Sequence, residues 1–394
     1  MEGSIKEMER KKNLAIIGGG ITGASIAYHL AKSDRFEITI FDDPAGKRAT
    51  TVAAGMLAPV TEVNFGEENL STFMIQAAEY FASIARTFEE QYKFDIGYRN
   101  TGTITVSLTE KDRKDLERYV NLYRRLGLSV TEHDGSEAQR IEPLLSPQVN
   151  YGITTEIDQQ VDNRALFDSL RRINSRLGVS TIDRRVVKVE RDRDGDFRVF
   201  DDGGENGLYH VVIVANGTSA TTIEGELKEI SSFIRPVKGQ IIRTRHGSDH
   251  LAPGKVVRYN VDSRPGYIVT RSNGEVVIGA TSEEVGFDER VKARGTFDLL
   301  HDAIRVVPMV GEYAIEEINV GFRPASDDNL PILGEIRENL WVALGSYRHG
   351  ILLSMFIGKK VAEAIASEQT LVEGFEIFAP SRFVGEIQSP VTIK

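Results

Sequence analysis

The chain contains no cysteine and only one tryptophan, Trp341, among its 394 residues. Without a thiol it can form no disulfide, no thiolate metal site, no cysteine nucleophile and no flavin tethered through sulfur. Positive charge is scarce as well: 48 lysines and arginines stand against 58 aspartates and glutamates, a formal net charge of −10. That balance leaves no electrostatic footprint for nucleic acid. No apolar stretch reaches the roughly 18 residues that a membrane span needs, and residues 1–12 are charged, without the apolar centre of a signal peptide. The expectation is a soluble cytoplasmic protein with no membrane partner, and a homo-oligomer is compatible with it.

What is present reads as two domains, because 394 residues exceed the size at which one core keeps growing and the apolar fraction of 41% is ordinary. Residues 13–17 form a short apolar run that meets a glycine cluster, and small and apolar residues at helical spacing follow from Ile21 to Lys32. A second strand, residues 36–41, ends at Asp42, Asp43 and Pro44. This is a βαβ unit. Helical patterning covers residues 67–91, with Phe73, Ala77, Tyr80, Phe81, Ile84 and Phe88 on one stripe. Further helices are expected over 110–126, 166–177, near 296–306 and over 351–367. The apolar run 210–217 reads as a buried parallel strand rejoining the first sheet. Between 234 and 322 several β-like stretches point to a second, largely antiparallel sheet.

Gly18, Gly20 and Gly23 match G-x-G-x-x-G between a strand and a helix, and Asp42 stands at the end of the next strand. The glycines permit a tight turn and close backbone approach, the helix N-terminus faces a pyrophosphate, and the acid can accept from ribose hydroxyls. Dinucleotide binding follows, without a choice between FAD and a nicotinamide cofactor. Small residues and hydroxyls in 48–59 suit a backbone path along a pyrophosphate and under a flat ring. A helix opening after Gly350 could point its dipole at the negative charge of a reduced flavin. Taken on residues alone, Arg323 before a proline reads as a surface or structural ion-pair arginine, Tyr267 as core, and the 110–125 helix as a solvated face. His349 has no partner at metal-ligand spacing, so no metal is expected.

Several blocks carry a resemblance: the glycine string, Ala53-Ala54-Gly55-Met56-Leu57-Ala58-Pro59, Arg235-Pro236-Val237-Lys238-Gly239-Gln240, Gly279-Ala280-Thr281, Gly321-Phe322-Arg323-Pro324 and Tyr347-Arg348-His349-Gly350-Ile351-Leu352-Leu353. In this order, over nearly the whole chain, they resemble the glycine oxidases of thiamine biosynthesis, a branch of the D-amino-acid-oxidase-like FAD-dependent oxidoreductases that also include sarcosine oxidases. The resemblance implies an α/β fold with a Rossmann-like FAD-binding domain of the GR2 type, from residues 12–60, 155–225 and 320–372. An interleaved α+β substrate domain, on a largely antiparallel sheet, would take 61–154 and 226–319.

The resemblance further implies that Arg323 grips the substrate carboxylate, Tyr267 hydrogen-bonds it, and Arg348 lies near substrate and flavin. Non-covalent FAD would be held by Gly18, Gly20, Ile21, Thr22 and Gly23 at the turn and by Asp42 and Asp43 at the ribose. Thr50, Thr51, Ala54, Gly55 and Met56 would run along the flavin, with Val186 near the adenine, and Ser346, Tyr347, Arg348, His349, Gly350, Ile351 and Leu352 closing over the ring. The implied reaction passes hydride from the α-carbon of a small amino acid to flavin N5, giving an imine, with molecular oxygen regenerating the flavin and yielding hydrogen peroxide. Departures from the pattern bear on the substrate: Ser346 stands for a histidine, His349 for an asparagine, Pro265 for a histidine of some members, and Ser282 for a larger apolar residue. A sarcosine or D-amino-acid oxidase, a dehydrogenase, or a non-catalytic flavin binder are the alternatives.

Overall fold

The computed structural model describes residues 11–383 apart from 47, 228–231, 248–250, 371 and 373. Its first layer is a six-stranded sheet in the order Ile332–Arg337, Leu340–Leu344, Val211–Val214, Lys12–Ile17, Phe36–Phe41, Ser180–Ile182. All pairs are parallel except the first, whose two strands are joined by a short turn. Parallel strands covered on both faces must be apolar throughout, and Leu14, Ala15, Ile16, Val212, Ile213 and Val214 are fully buried. The run 210–217 does rejoin the first strand, with Leu14 to Ile17 opposite Val211 to Val214.

Helices Ile21–Ala31, Ser71–Thr87 and Gly350–Ala366 supply much of the core on one face of this sheet. The stripe read from the sequence is inward: Phe73, Ala77, Phe81, Ile84 and Phe88 are buried, and Tyr80 is partly so. Its helix differs in detail, running Ser71–Thr87 and closing in a wider turn, Phe88–Tyr92, that ends on Lys93 with φ 62°. Phe73 meets Phe375 edge to face at 4.0 Å, tying residues near the C-terminus to the same core. The other face of the sheet packs against a four-stranded sheet in which Val186–Arg191 and Phe197–Asp201 form a hairpin.

The second layer is an eight-stranded sheet, antiparallel but for one pair, in the order Ala314–Ser326, Ile234–Arg245, Glu275–Gly279, Arg264–Thr270, Val256–Val261, Thr103–Ser107, Tyr151–Thr155, Thr131–Asp134. Helix Ala293–Val306 covers one face, where Leu299, Ala303 and Val306 join Ile242, Ile268 and Ile278. The other face looks toward the glycine-rich turn. Strand Ala314–Ser326 passes through residue 320, where the expected domain division falls, and pairs along its length with Ile234–Arg245. Among the described residues no helix is long and apolar enough to cross a membrane.

Candidate active site

A cleft of about 510 Å³ runs between the two large sheets. Its floor begins at the glycine turn. Gly18 adopts φ +107°, and a Cβ there would sit 2.5 Å from Asn216 Cα; a Cβ on Gly23 would sit 2.0 Å from Gly18 O. Only glycine lets the strand turn this tightly into the helix. Helix Ile21–Ala31 carries no cap from its own N-cap residue, and Ile21 N–H donates to Thr50 Oγ1 at 3.1 Å. The N–H groups of Gly20, Thr22 and Gly23 find no acceptor among the described residues. These open donors at a helix start fit a pyrophosphate.

Asp42 borders the cleft with its oxygens already engaged, one by Gly19 N–H at 3.2 Å and the other by Arg48 at 2.7 Å. From there the walls pass Asp43, Thr50, Ala54, Gly55, Met56 and Val186, and on the far side Ser346, Tyr347, Arg348, His349, Gly350, Ile351 and Leu352. The structure thus brings nearly all the residues expected around a flavin to one cleft. Gly23 and Thr51 do not border it: Gly23 backs onto the turn, and the Thr51 carbonyl is held by Arg164 and Arg243. The helix Gly350–Ala366 starts at the cleft rim without a side-chain cap.

The sheet wall carries the chemistry. Tyr267 lies opposite Gly279 on one neighbouring strand and Arg258 on the other, so these positions share a face; Gly239, paired with Gly321, lies on the strand beyond that of Gly279. Gly279 and Gly239 make room for the large groups. A Cβ on Gly279 would reach 2.3 Å from the Tyr267 ring, and one on Gly239 would reach 2.6 Å from the Arg323 guanidinium. Arg323 donates to Thr281 O at 3.1 Å and, over a longer 3.4 Å, to Lys238 O, and no carboxylate pairs with it among the described residues. The reading of Arg323 as a structural ion-pair arginine is therefore corrected. Tyr267 is also not simply core: it is half-buried, borders the cleft and makes no hydrogen bond through its hydroxyl among the described residues, and burial raises its pKa.

The sequence reading missed the carboxylates that face these arginines. Glu62 accepts from Arg258, and its second oxygen lies 3.9 Å from Arg348 Nε. Glu67 takes the other end of Arg348, Nη2, and lies 3.9 Å from His349 Nε2, which has no hydrogen-bond partner. Burial pushes the Glu62 carboxyl up, but Arg258, Arg348 and His349 outweigh it and hold the group at about 2. Burial acts the same way on Glu67, and His349 and Arg348 again prevail and lower it. Arg348 is thus at the cleft, as expected, but with its charge answered by two carboxylates. One signal for Glu62 was available: a lone carboxylate in the otherwise uncharged stretch 56–63. Arg258 offered none, since only the pairing of its strand with that of Tyr267 brings it to the cleft.

Beyond the cleft, nearly the whole chain is similar to known proteins. The family model described as FAD dependent oxidoreductase matches residues 13–364. The chain belongs to this family of FAD-dependent oxidoreductases. It is 32% identical to a glycine oxidase of Geobacillus kaustophilus, over 96% of this chain and 99% of that protein. A crystal structure of glycine oxidase from that organism superposes with a TM-score of 0.85 at 29% identity, covering 95% of this chain and 99% of the other. Iminodiacetate oxidase of Chelativorans sp. BNC1 follows the same fold at TM-score 0.82 and 26% identity, over 93% and 98% of the two chains. A bifunctional protein ThiO/ThiG of Synechocystis is 30% identical over 98% of this chain and 56% of its own length. As a member of the family this chain takes FAD, and the expected α/β architecture is the one it adopts.

Proposed function

We propose that this FAD-dependent oxidoreductase oxidises small amino acids, glycine and sarcosine first among them, with molecular oxygen as the electron acceptor. The observation that carries the reading is Arg323, a cation on the cleft wall with no carboxylate partner among the described residues, next to the free hydroxyl of Tyr267. A substrate as small as glycine offers only an amine and a carboxylate. The planar fork of Arg323 can donate two parallel hydrogen bonds to that carboxylate, and Tyr267 can add a third. Arg348, already neutralised, closes the wall instead of competing for the anion.

Bound FAD supplies the hydride acceptor and, through its reoxidation, the route to hydrogen peroxide. The open N–H groups of Gly20 and Thr22 would hold its pyrophosphate, with Asp42 toward the ribose. Glu62, held ionised and paired with Arg258, is a poor proton acceptor. The substrate amine accordingly enters neutral, and the protein's task is to orient its α-carbon and exclude water. Relatives named glycine oxidase and ThiO/ThiG support this substrate class and the place in thiamine biosynthesis that the resemblance implies.

Anaerobic mixing of the yellow protein with a panel of glycine, sarcosine and D-amino acids tests the reading. Glycine and sarcosine should bleach the flavin faster than bulky D-amino acids, and readmitted air should return the colour with stoichiometric peroxide. Fastest bleaching by D-phenylalanine would move the assignment to a general D-amino-acid oxidase, and bleached flavin stable in air would make it a dehydrogenase.

A further inference from the structure

The segment from Thr50 to Gly55 borders the cleft for most of its length, yet its carbonyls are turned away and captured by side chains from elsewhere in the fold. Asn163 Nδ2 donates to Thr50 O at 2.6 Å. Arg164 Nε and Arg243 Nη2 donate to Thr51 O at 3.1 and 3.2 Å, and Arg243 Nη2 also reaches Ala53 O at 3.1 Å. Arg271 Nη2 donates to Ala54 O. Arg243 is fully buried and Arg271 nearly so. Both belong to the eight-stranded sheet side of the molecule.

A trans peptide is planar, so its C=O and the following N–H point to opposite sides. Holding Ala53 C=O on Arg243 turns Ala54 N–H the other way, and holding Ala54 C=O on Arg271 does the same to Gly55 N–H. Neither N–H has an acceptor among the described residues, although Ala54 and Gly55 both border the cleft. The turn is shaped for this grip: Gly55 has φ +70°, and a Cβ there would meet Val161 O at 2.1 Å and Arg271 Nη2 at 2.9 Å.

The arrangement is costly for mere packing. Arg243 and Arg271 share one carboxylate, Glu275, at 2.7 and 4.0 Å, and the Nε atom of each is buried without a hydrogen bond. Well-packed apolar side chains in place of buried guanidinium groups are often no less stable. We propose that Arg243 and Arg271 are positioning residues that present Ala54 and Gly55 N–H as a pair of donors to FAD and thereby favour its reduced, negatively charged form. A cation on the carbonyl polarises the peptide and strengthens the donor at its other end. Donors fixed where negative charge develops favour the charged form without reorganising. The inference rests on FAD binding alone and is independent of the amino acid oxidised.

The test is Arg271→Met in the FAD-loaded protein, which keeps the stem and removes the grip on Ala54. The readouts are the flavin midpoint potential, the FAD dissociation constant and the melting temperature of the apoprotein. Loss of one aimed hydrogen bond should lower the ratio of reduced to oxidised FAD affinity about tenfold, or about 30 mV in a two-electron couple. A structural role alone would lower the melting temperature and leave the potential where it was, which overturns the proposal. If the methionine variant does not fold, Arg271→Lys replaces it, with a smaller shift in the same direction expected and an unchanged potential refuting the idea. Failure of both variants to fold would make the arginine structural and would also overturn it.

Discussion

Replacing Arg323 with alanine is the perturbation with the largest expected effect on turnover. The guanidinium sits on the cleft wall near Tyr267, in space left by Gly239, and its hydrogen bonds go only to two carbonyls. Removing it therefore costs the protein little stability, because no buried anion is left uncompensated. A bound carboxylate would lose its counter-charge in a water-excluded pocket, which typically costs about 3–5 kcal/mol. That corresponds to a fall of roughly two to four decades in kcat/KM for glycine. Arg323→Lys should recover part of the loss, since it restores the charge without the planar fork. Peroxide release under air, over a range of glycine concentrations, measures both variants, with flavin absorbance confirming unchanged FAD content. Amines without a carboxylate should be nearly indifferent to the change. If Arg323→Ala oxidises glycine within a few-fold of the parent, the carboxylate is held elsewhere and the reasoning from the unpaired cation fails.

Tyr267→Phe removes one hydrogen bond to the same carboxylate, so KM for glycine should rise about three- to tenfold with FAD content unchanged; an unaltered KM would take the phenol out of the clamp. Glu62→Gln strands Arg258 in a largely buried position and should destabilise the protein by about 3–5 kcal/mol in urea unfolding. The Glu62 carboxyl is depressed from 4.5 to about 2, so its contribution is complete above the ordinary value and disappears as pH falls from 4.5 toward 2. The parent should lose stability across that window more steeply than the glutamine variant, and superimposable acid limbs would refute the pairing. With no cysteine to tether it, FAD should pass into the supernatant on acid precipitation; yellow colour in the pellet would show an attachment through another residue type.

The βαβ opening was legible because its constraints are local. Gly18, Gly20 and Gly23 answer steric demands within a few residues of one another, and Asp42 follows at the end of the next strand. Apolar runs located three strands of the first sheet and the long helices for the same reason. Boundaries shifted where tertiary contacts intervene: helix Asn163–Arg176 starts three residues earlier than its apolar pattern, because Asp162 caps it and the Asn163 side chain is drawn to Thr50 O.

Arg323 shows where residue-level reading stops. Judged alone it is a surface or structural ion-pair arginine, and only the glycine on the neighbouring strand and the absence of a carboxylate neighbour among the described residues reveal a cation awaiting an anion. Arg258, Glu62 and the grip of Arg243 and Arg271 on residues 51–54 were hidden for a further reason. Glu62 and Arg258 are 196 residues apart, and Arg271 and Ala54 are 217 apart. The charges and glycines are written in the chain, but which charge meets which depends on strand order and register in the eight-stranded sheet. Those are set by the burial of its opposite, apolar face against helix Ala293–Val306, and that packing is a property of the folded whole.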